Sequence, residues 1–315
     1  MSGKRLFYLK IFLTVVLLGA LFLRVDFASV LRALGQFSAR VWIANAFLYF
    51  FCWIIATVKW KVLTPTIAFG KLLRLNFVGQ YYSTLLPGQI AGEAIKAYRL
   101  GKGRADAEAL AASVIVDKIT GLAALLVVAL AGLFATRTAI SPPVLWFFAA
   151  FGIVFGVAIF GVAIGWTPKV FRAGASRFGT FRERAEKLWD SSRGYLRRPT
   201  ALILSTVFGI VFQLCAVLMN ILFSRELGVT ISFSDWCWLF ALISLVGILP
   251  FTIAGLGLRE ASFVGVMALA GVSAEKALAM SLAIFGLLLA GAVVGGVMEF
   301  CRRDETIRGA PAWTS

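Results

Sequence analysis

The sequence LPGQIAG at residues 86–92 recurs as LPFTIAG at residues 249–255, so both copies have the pattern LPxxIAG. Each copy begins at the last residue of a short apolar stretch. These stretches, Leu75–Leu86 and Trp236–Leu249, fall short of the roughly 20 residues that a membrane-spanning helix needs. Proline removes a backbone donor and glycine loosens a helix. The two copies therefore predict two helices that are broken at membrane depth.

Other apolar runs are long enough to span a membrane. They are Leu6–Leu23, Val41–Val58, Leu110–Ala135, Val144–Trp166, Ala201–Phe223 and Ala277–Met298. The first run follows Lys4 and Arg5 as a signal peptide would, but it lacks a small-x-small cleavage site, so we interpret it as an uncleaved helix. The prediction is an all-α integral membrane fold with about six transmembrane helices plus two re-entrant broken helices.

Composition supports the membrane class. Of the 315 residues, 60% are hydrophobic and 15% are charged, whereas soluble domains carry about 25% charged residues. The net charge of +16 comes from basic residues between apolar runs, not from the basic stripe of a nucleic-acid groove, so we exclude nucleic acid as a partner. The four cysteines are scattered and histidine is absent, so we expect no metal site and no cofactor.

The distribution of lysine and arginine predicts the topology. With the N-terminus inside, and with each broken stretch returning to the face that it enters, nearly all basic residues fall on one side. We therefore expect cytoplasmic N and C termini in a multi-pass protein of the cell membrane. The predicted organisation is one membrane domain at 1–303, with halves at 41–135 and 201–300, a basic cytoplasmic segment at 167–200, and a short tail at 304–315.

In this topology one broken helix enters from inside and the other from outside. Such inverted repeats carry their substrate site at the broken helices. The predicted helix breaks are Pro87, Gly88, Gly92, Pro250, Gly255 and Gly257.

Arg259 and Glu260 follow the second break, at the start of a short predicted helix, Ala261–Leu269. Free N–H groups and a partial positive charge at a helix N-terminus suit a phosphate or another anionic head group. The alternative is that the two side chains snorkel to the interface or satisfy each other.

The first half offers a matching set. Glu93, Lys96 and Arg99 are spaced i, i+3, i+6, which predicts one helix face able to hold a zwitterionic or anionic head group. An ordinary cytoplasmic helix end explains the spacing equally well. Asp117 and Lys118 interrupt an apolar run, where ionisable residues mark function by default. Adjacent residues point to different faces, so we expect each to pair with another group, and structural ion pairing is the alternative.

Two further patterns concern packing and lipid. Basic residues with interleaved aromatics at Lys169–Arg198 suit either an amphipathic helix on an anionic lipid surface or a solvated loop. Helix packing is the role we assign to the GxxxG pairs Gly152/Gly156, Gly161/Gly165 and Gly291/Gly295.

Three motifs, in this order, resemble the membrane region of lysylphosphatidylglycerol synthases, which also occurs alone as a flippase-like family. They are LPGQIAGEAIKAYRL at 86–100, SVIVDKITGL at 113–122 and LPFTIAGLGLREASFVGVMALAGVSAEKALAMSL at 249–282. The resemblance covers Leu6 to Arg303 and implies translocation of a lipid with a modified or glycosylated head group. At Asp117-Lys118 the chain departs from the Glu-Arg pair that the resemblance implies.

The resemblance also extends to stand-alone members associated with hopanoid or other isoprenoid-lipid pathways. Because the chain ends shortly after Arg303, we expect neither a soluble synthase domain nor synthase activity. The expected function is flipping of a lipid with a modified or anionic head group. The residues expected to contact the lipid are Arg259, Glu260, Glu93, Lys96, Arg99, Asp117 and Lys118.

No ATPase motif is visible, so we expect transport to be passive or coupled to an ion. Two alternatives stay open. One is a membrane-embedded transferase acting on a phospholipid or a polyprenyl-linked substrate, with Glu93, Asp117 or Glu260 as its carboxylate. The other is an assembly partner of a lipid-biosynthesis enzyme. We assign no catalytic residue.

Overall fold

The computed structural model describes residues 26–86, 90–164, 179–248 and 257–308. Within these ranges the regular structure is helical. Five helices are long and apolar enough to cross a membrane, which makes the chain a multi-pass membrane protein. They match five of the six predicted spans. The sixth, Leu6–Leu23, lies outside the described residues, as do Pro87, Gly88, Pro250 and Gly255.

The described part of the chain forms eleven α-helices and one 3₁₀ turn, Tyr195–Arg197. The helices are α1 (Phe27–Gly35), α2 (Ala39–Leu63), α3 (Phe69–Leu85), α4 (Ile90–Gly101), α5 (Ala107–Ala135), α6 (Pro142–Ala163), α7 (Gly179–Gly194), α8 (Pro199–Glu226), α9 (Phe233–Ile248), α10 (Leu258–Ala268) and α11 (Ala274–Arg308). Helix α7 belongs to the basic stretch and packs against α5. Several helices begin before the predicted apolar runs, because polar residues continue a helix without lengthening its apolar run.

The two halves of the chain repeat the same helix pattern. Helices α2 to α5 contain 25, 17, 12 and 29 residues. Helices α8 to α11 contain 28, 16, 11 and 35 residues. Each half is a long, a medium, a short and a long helix, and the LPxxIAG motif lies at the junction of the medium and short helices. The sequence repeat therefore extends to the order and length of the helices. Its first copy runs into α4, which begins at Ile90, so the predicted helix break at Gly92 is wrong: Gly92 lies within that helix, where it allows close approach to Gly79 of α3.

Helices α2 and α8, the first helices of the two halves, pack side by side in opposite directions. The backbone N–H of Ser38, which caps the start of α2, donates to the carboxylate of Glu226 at the end of α8 (2.9 Å). At the other end, the hydroxyl of Tyr195 donates to the carbonyl of Leu63, the last residue of α2 (3.2 Å). Contacts at both ends fix the pair as antiparallel.

The halves also exchange their second helices. Helix α3 packs along α11, the last helix of the second half, and α9 packs along α5, the last helix of the first half. Glycines allow both approaches: Gly295 lies against the backbone of Phe77, and Gly132 lies against Cys237. Because α3 and α9 each cover the other half's last helix, neither half has a complete core of its own.

The connection between α2 and α5 leaves and returns at one end of the bundle. The indole N–H of Trp60, in the last turn of α2, donates to the hydroxyl of Ser113 near the start of α5 (3.0 Å). The segment that contains α3 and α4 therefore begins and ends at the same level. At the opposite end, the hydroxyl of Thr138, just beyond α5, donates to Asp235 at the start of α9 (2.8 Å).

The GxxxG prediction is confirmed for Gly291/Gly295 and finds no support at Gly156 among the described residues. Added Cβ atoms at Gly291 and Gly295 would overlap Tyr49 and Phe77, so that pair does serve close packing. A Cβ at Gly156 would meet no atom of residues 26–86, 90–164, 179–248 or 257–308 within 4 Å. The spacing of two glycines cannot reveal whether a partner helix faces them.

The contrast between these glycines gives a test of the fold. Gly295→Ala should lower the melting temperature of the protein in mild detergent, because the new methyl group overlaps a backbone carbonyl, and overpacking costs roughly 1–3 kcal/mol. Gly156→Ala, the matched control in another span, should be neutral or slightly stabilising because alanine favours helix. Equal melting temperatures for the two variants would contradict the α3–α11 packing.

Candidate functional site

Glu93 joins two helices through two lysines. It lies in the first turn of α4 and pairs with Lys96 one turn later (2.8 Å). Its second carboxylate oxygen pairs with Lys118 of α5 (2.9 Å). Lys118 thus finds its partner on another helix, as its position beside Asp117 predicts. A carboxylate near a helix N-terminus is also stabilised by the helix dipole.

Lys96 is buried among polar and aromatic groups. Its ammonium donates to the side-chain carbonyl of Asn76 (3.2 Å), and the Asn76 amide donates to the hydroxyl of Thr57 (3.0 Å). The ammonium also lies 5.1 Å from the ring centre of Trp60, within the range of a cation–π contact. Gly79 leaves room for the Lys96 stem, since a Cβ there would lie 2.9 Å from it. Each of these contacts holds Lys96 in one place.

Lys59 and Asp117 form a second buried ion pair. Their charged atoms are 2.7 Å apart, and only 8% and 16% of the two side chains are exposed. Lys59 also donates to the backbone carbonyl of Asp117. Asp117 therefore pairs with another helix, as predicted. Lys59 itself is a candidate site residue that sequence reasoning missed, because the predicted span ended one residue before it, at Val58. Its place between Val58 and Trp60 in an apolar helix was the available signal.

The two pairs belong to one group, which we name the five-charge cluster: Lys59, Glu93, Lys96, Asp117 and Lys118. Lys59 and Lys96 both interact electrostatically with Asp117 and Lys118, which links the two pairs. Four members are largely buried, whereas the side chain of Lys118 is 58% exposed. The cluster thus lies where α2 ends and α5 begins, and it opens outward at Lys118.

Arg99 does not join this cluster, so the prediction of one face shared by Glu93, Lys96 and Arg99 is wrong for Arg99. At 3.6 residues per turn, six residues leave the last position about 120° away from the first. The Arg99 guanidinium instead pairs with Glu299 near the end of α11 and lies 5.4 Å from the ring centre of Tyr82. Glu299 is a second partner that sequence reasoning missed.

A cavity of about 350 Å³ adjoins this pair. It is lined by Tyr81, Tyr82, Arg99, Glu299 and Phe300. Nearby, Arg74 of α3 donates to the carbonyl of Met298 (2.6 Å). These contacts join α3 and α4 of the first half to the end of α11.

Arg259 and Glu260 form the charged site of the second half. Helix α10 begins after Gly257, whose φ of 79° suits glycine, and the Glu260 carboxylate accepts from the Gly257 N–H (2.7 Å). Arg259 pairs with Glu260, which is the mutual pairing that the sequence left as the alternative. Its guanidinium also lies 4.3 Å from the ring centre of Phe285.

One donor of Arg259 is still unused. The Nε of this side chain is buried and has no hydrogen-bond partner among the residues that the structure describes. The polar contacts described for Arg259 and Glu260 stay within α10 and its cap, so the structure does not bring them to the five-charge cluster. Each half nevertheless places an acidic residue in the first turn of its short helix, with a basic residue beside it.

A family model described as "Lysylphosphatidylglycerol synthase TM region" matches residues 7–296. No curated protein and no solved structure matches the chain.

The buried pair Lys59–Asp117 gives a stability test. Asp117→Asn should lower the melting temperature in detergent by several degrees, because it leaves a buried ammonium without its counter-ion, which costs roughly 3–5 kcal/mol. The double variant Lys59→Met/Asp117→Asn should recover most of the loss, since no unpaired charge remains.

The matched control is the exposed pair Arg104–Asp106 in the loop before α5. A hydrogen bond from Arg104 lowers the pKa of Asp106, but solvent screens exposed pairs, so Asp106→Asn should change the melting temperature little. A double variant no more stable than Asp117→Asn alone would show that the two buried charges do not depend on each other.

Proposed function

The chain belongs to the lysylphosphatidylglycerol synthase TM-region family, and from that premise we propose that it moves a lipid with a modified or anionic head group between the leaflets of the membrane. The family places the chain among membrane proteins of lipid metabolism or translocation. The step to translocation, with the head group carried through the protein, is the proposal.

The five-charge cluster is the observation that carries this proposal. Charged side chains within or beside spans are costly, and they persist where they serve a substrate path. Here Lys59 and Asp117 come from two spans, Glu93 and Lys96 come from the short helix α4, and Lys118 faces outward. A lipid head group that approaches α5 would meet the half-exposed Lys118 side chain before the four more deeply buried members of the cluster.

Helix directions support a transporter architecture. The segment of α3 and α4 leaves and returns at one end of the bundle, and α2 and α8 are antiparallel. We interpret α3–α4 and α9–α10 as two re-entrant pairs of inverted repeats, a fold in which substrate sites lie at the broken helices. Basic residues follow α2 and α4, so we place this end, with both termini, in the cytoplasm, and the protein in the cytoplasmic membrane.

The second half supplies the other contact in this scheme. Arg259 pairs with Glu260 and contacts Phe285, and its buried Nε has no hydrogen-bond acceptor in the part of the chain that the structure describes. A phosphate oxygen is a suitable acceptor for that donor. The head group would be handled by the five-charge cluster on one side and by Arg259 on the other, while the acyl chains stay in lipid.

A flipping assay in proteoliposomes tests this function. Acyl-labelled phospholipids should cross faster with the full chain present than in protein-free vesicles. Lys96→Met should slow them about tenfold, the effect expected from losing one charge-assisted contact of roughly 1.4 kcal/mol. Methionine keeps the stem that packs beside Gly79, and Glu93 keeps Lys118 as its partner.

The control variant is Lys276→Met, which removes a lysine in the first turn of α11, outside the cluster. It should retain the wild-type rate. The proposed function would be contradicted if the wild-type protein moved none of these lipids, whether anionic, zwitterionic or cationic, faster than protein-free vesicles do.

A further inference from the structure

The five-charge cluster is not neutral. It holds three ammonium groups, on Lys59, Lys96 and Lys118, and two carboxylates, on Glu93 and Asp117. Within the part of the chain that the structure describes, no other carboxylate pairs with these lysines. With all five groups ionised, the cluster carries a surplus of one positive charge.

Lys118 has the most exposed side chain of the cluster, at 58%. An ammonium has three donors, and Lys118 gives one of them to Glu93 (2.9 Å). Asp117 lies against Lys59 (2.7 Å), and Lys96 already shares Glu93 and Asn76. Of the three lysines, the exposed Lys118 is the one able to turn donors towards a molecule outside the protein.

The lysines also fix the kind of recognition. An arginine presents a planar fork that matches two phosphate oxygens, whereas a lysine acts as a compact point charge. A site built from three ammonium groups and two carboxylates therefore distinguishes ligands by net charge more than by shape. A ligand with one negative charge balances this site, whereas a cationic ligand adds to its imbalance.

We propose that the five-charge cluster selects a phospholipid whose head group carries a single net negative charge, namely a phosphodiester without a compensating amine, and disfavours zwitterionic and cationic head groups. This inference rests on the proposed function for its biological meaning, since it names the substrate class of the same site. The phosphodiester lies against Lys118, in front of the ion pair of Glu93 and Lys96.

The test is lipid retention by the full-length protein in mild detergent, measured by native mass spectrometry. The probes are phosphatidylglycerol, phosphatidylcholine and lysyl-phosphatidylglycerol with identical acyl chains, whose head groups carry net charges of about −1, 0 and +1 at neutral pH. The proteins are the wild type, Lys118→Gln, Lys118→Glu and the control Lys276→Gln. Because Lys118 is more than half exposed, its variants should fold, and melting temperatures check this.

The wild type and the Lys276→Gln control should retain phosphatidylglycerol about tenfold better than either other lipid, which corresponds to about 1.4 kcal/mol. Lys118→Gln should lose this preference. Lys118→Glu turns the surplus of +1 into −1 and should favour lysyl-phosphatidylglycerol. A reversal of preference cannot come from a merely damaged fold.

Equal retention of the three lipids by the wild type, or an unchanged preference in Lys118→Glu, would overturn the inference. Added inorganic phosphate separates a lipid site from a free-anion site: failure to displace phosphatidylglycerol supports the lipid site, and ready displacement contradicts it. Binding and flipping are measured separately. If the protein retains phosphatidylglycerol selectively but transports no lipid, the proposed function is wrong and this inference stands. If it transports lipids but shows no preference for head-group charge, this inference is wrong and the proposed function stands.

Discussion

A charge enclosed by apolar helices must find its counter-ion within the protein, because neither lipid nor a packed core can solvate it. The pair of Lys59 and Asp117 meets this requirement between two spans. It holds the end of α2 against the start of α5, so the intervening segment must return to the level at which it left. The return brings α4 back alongside α5, and there Glu93 meets Lys118. The position of the short helix α4 thus follows from the need to pair the charge of Lys118 with that of Glu93.

The two halves share a helix pattern but differ in charge. The first half gathers five charges, with small and hydroxyl residues of α8 beside them: Gly209 lies near the Lys59 stem, and Ser205 bonds to Thr120. Among its described residues, the second half contains one internal ion pair, Arg259 and Glu260. Two halves with the same helix pattern therefore differ in their charged groups. Under the proposed function, this difference would give the two sides of the molecule unequal affinity for a charged head group.

Sequence alone predicted the helical membrane fold, five described spans and the repeat, because apolar run length and proline–glycine breaks are local properties. It also predicted that Asp117 and Lys118 pair with different groups, which follows from helix rotation. It could not supply the partners: Lys59 and Glu299 lie far along the chain from Asp117 and Arg99. The sequence analysis placed Arg99 on the same helix face as Glu93 because each of the two steps, to Lys96 and then to Arg99, spans three residues. Two such steps leave Arg99 about 120° away from Glu93 around the helix.

The exchange of second helices has a consequence for synthesis. Arg74 of α3 bonds to the carbonyl of Met298, 224 residues later in the chain. At about 5–20 residues per second, the partner of α3 is made roughly 10–45 s after α3 itself. During that time the face of α3 that will cover α11 has no partner from its own chain. The nascent first half must be sheltered by lipid or by the insertion machinery until the last helix is complete.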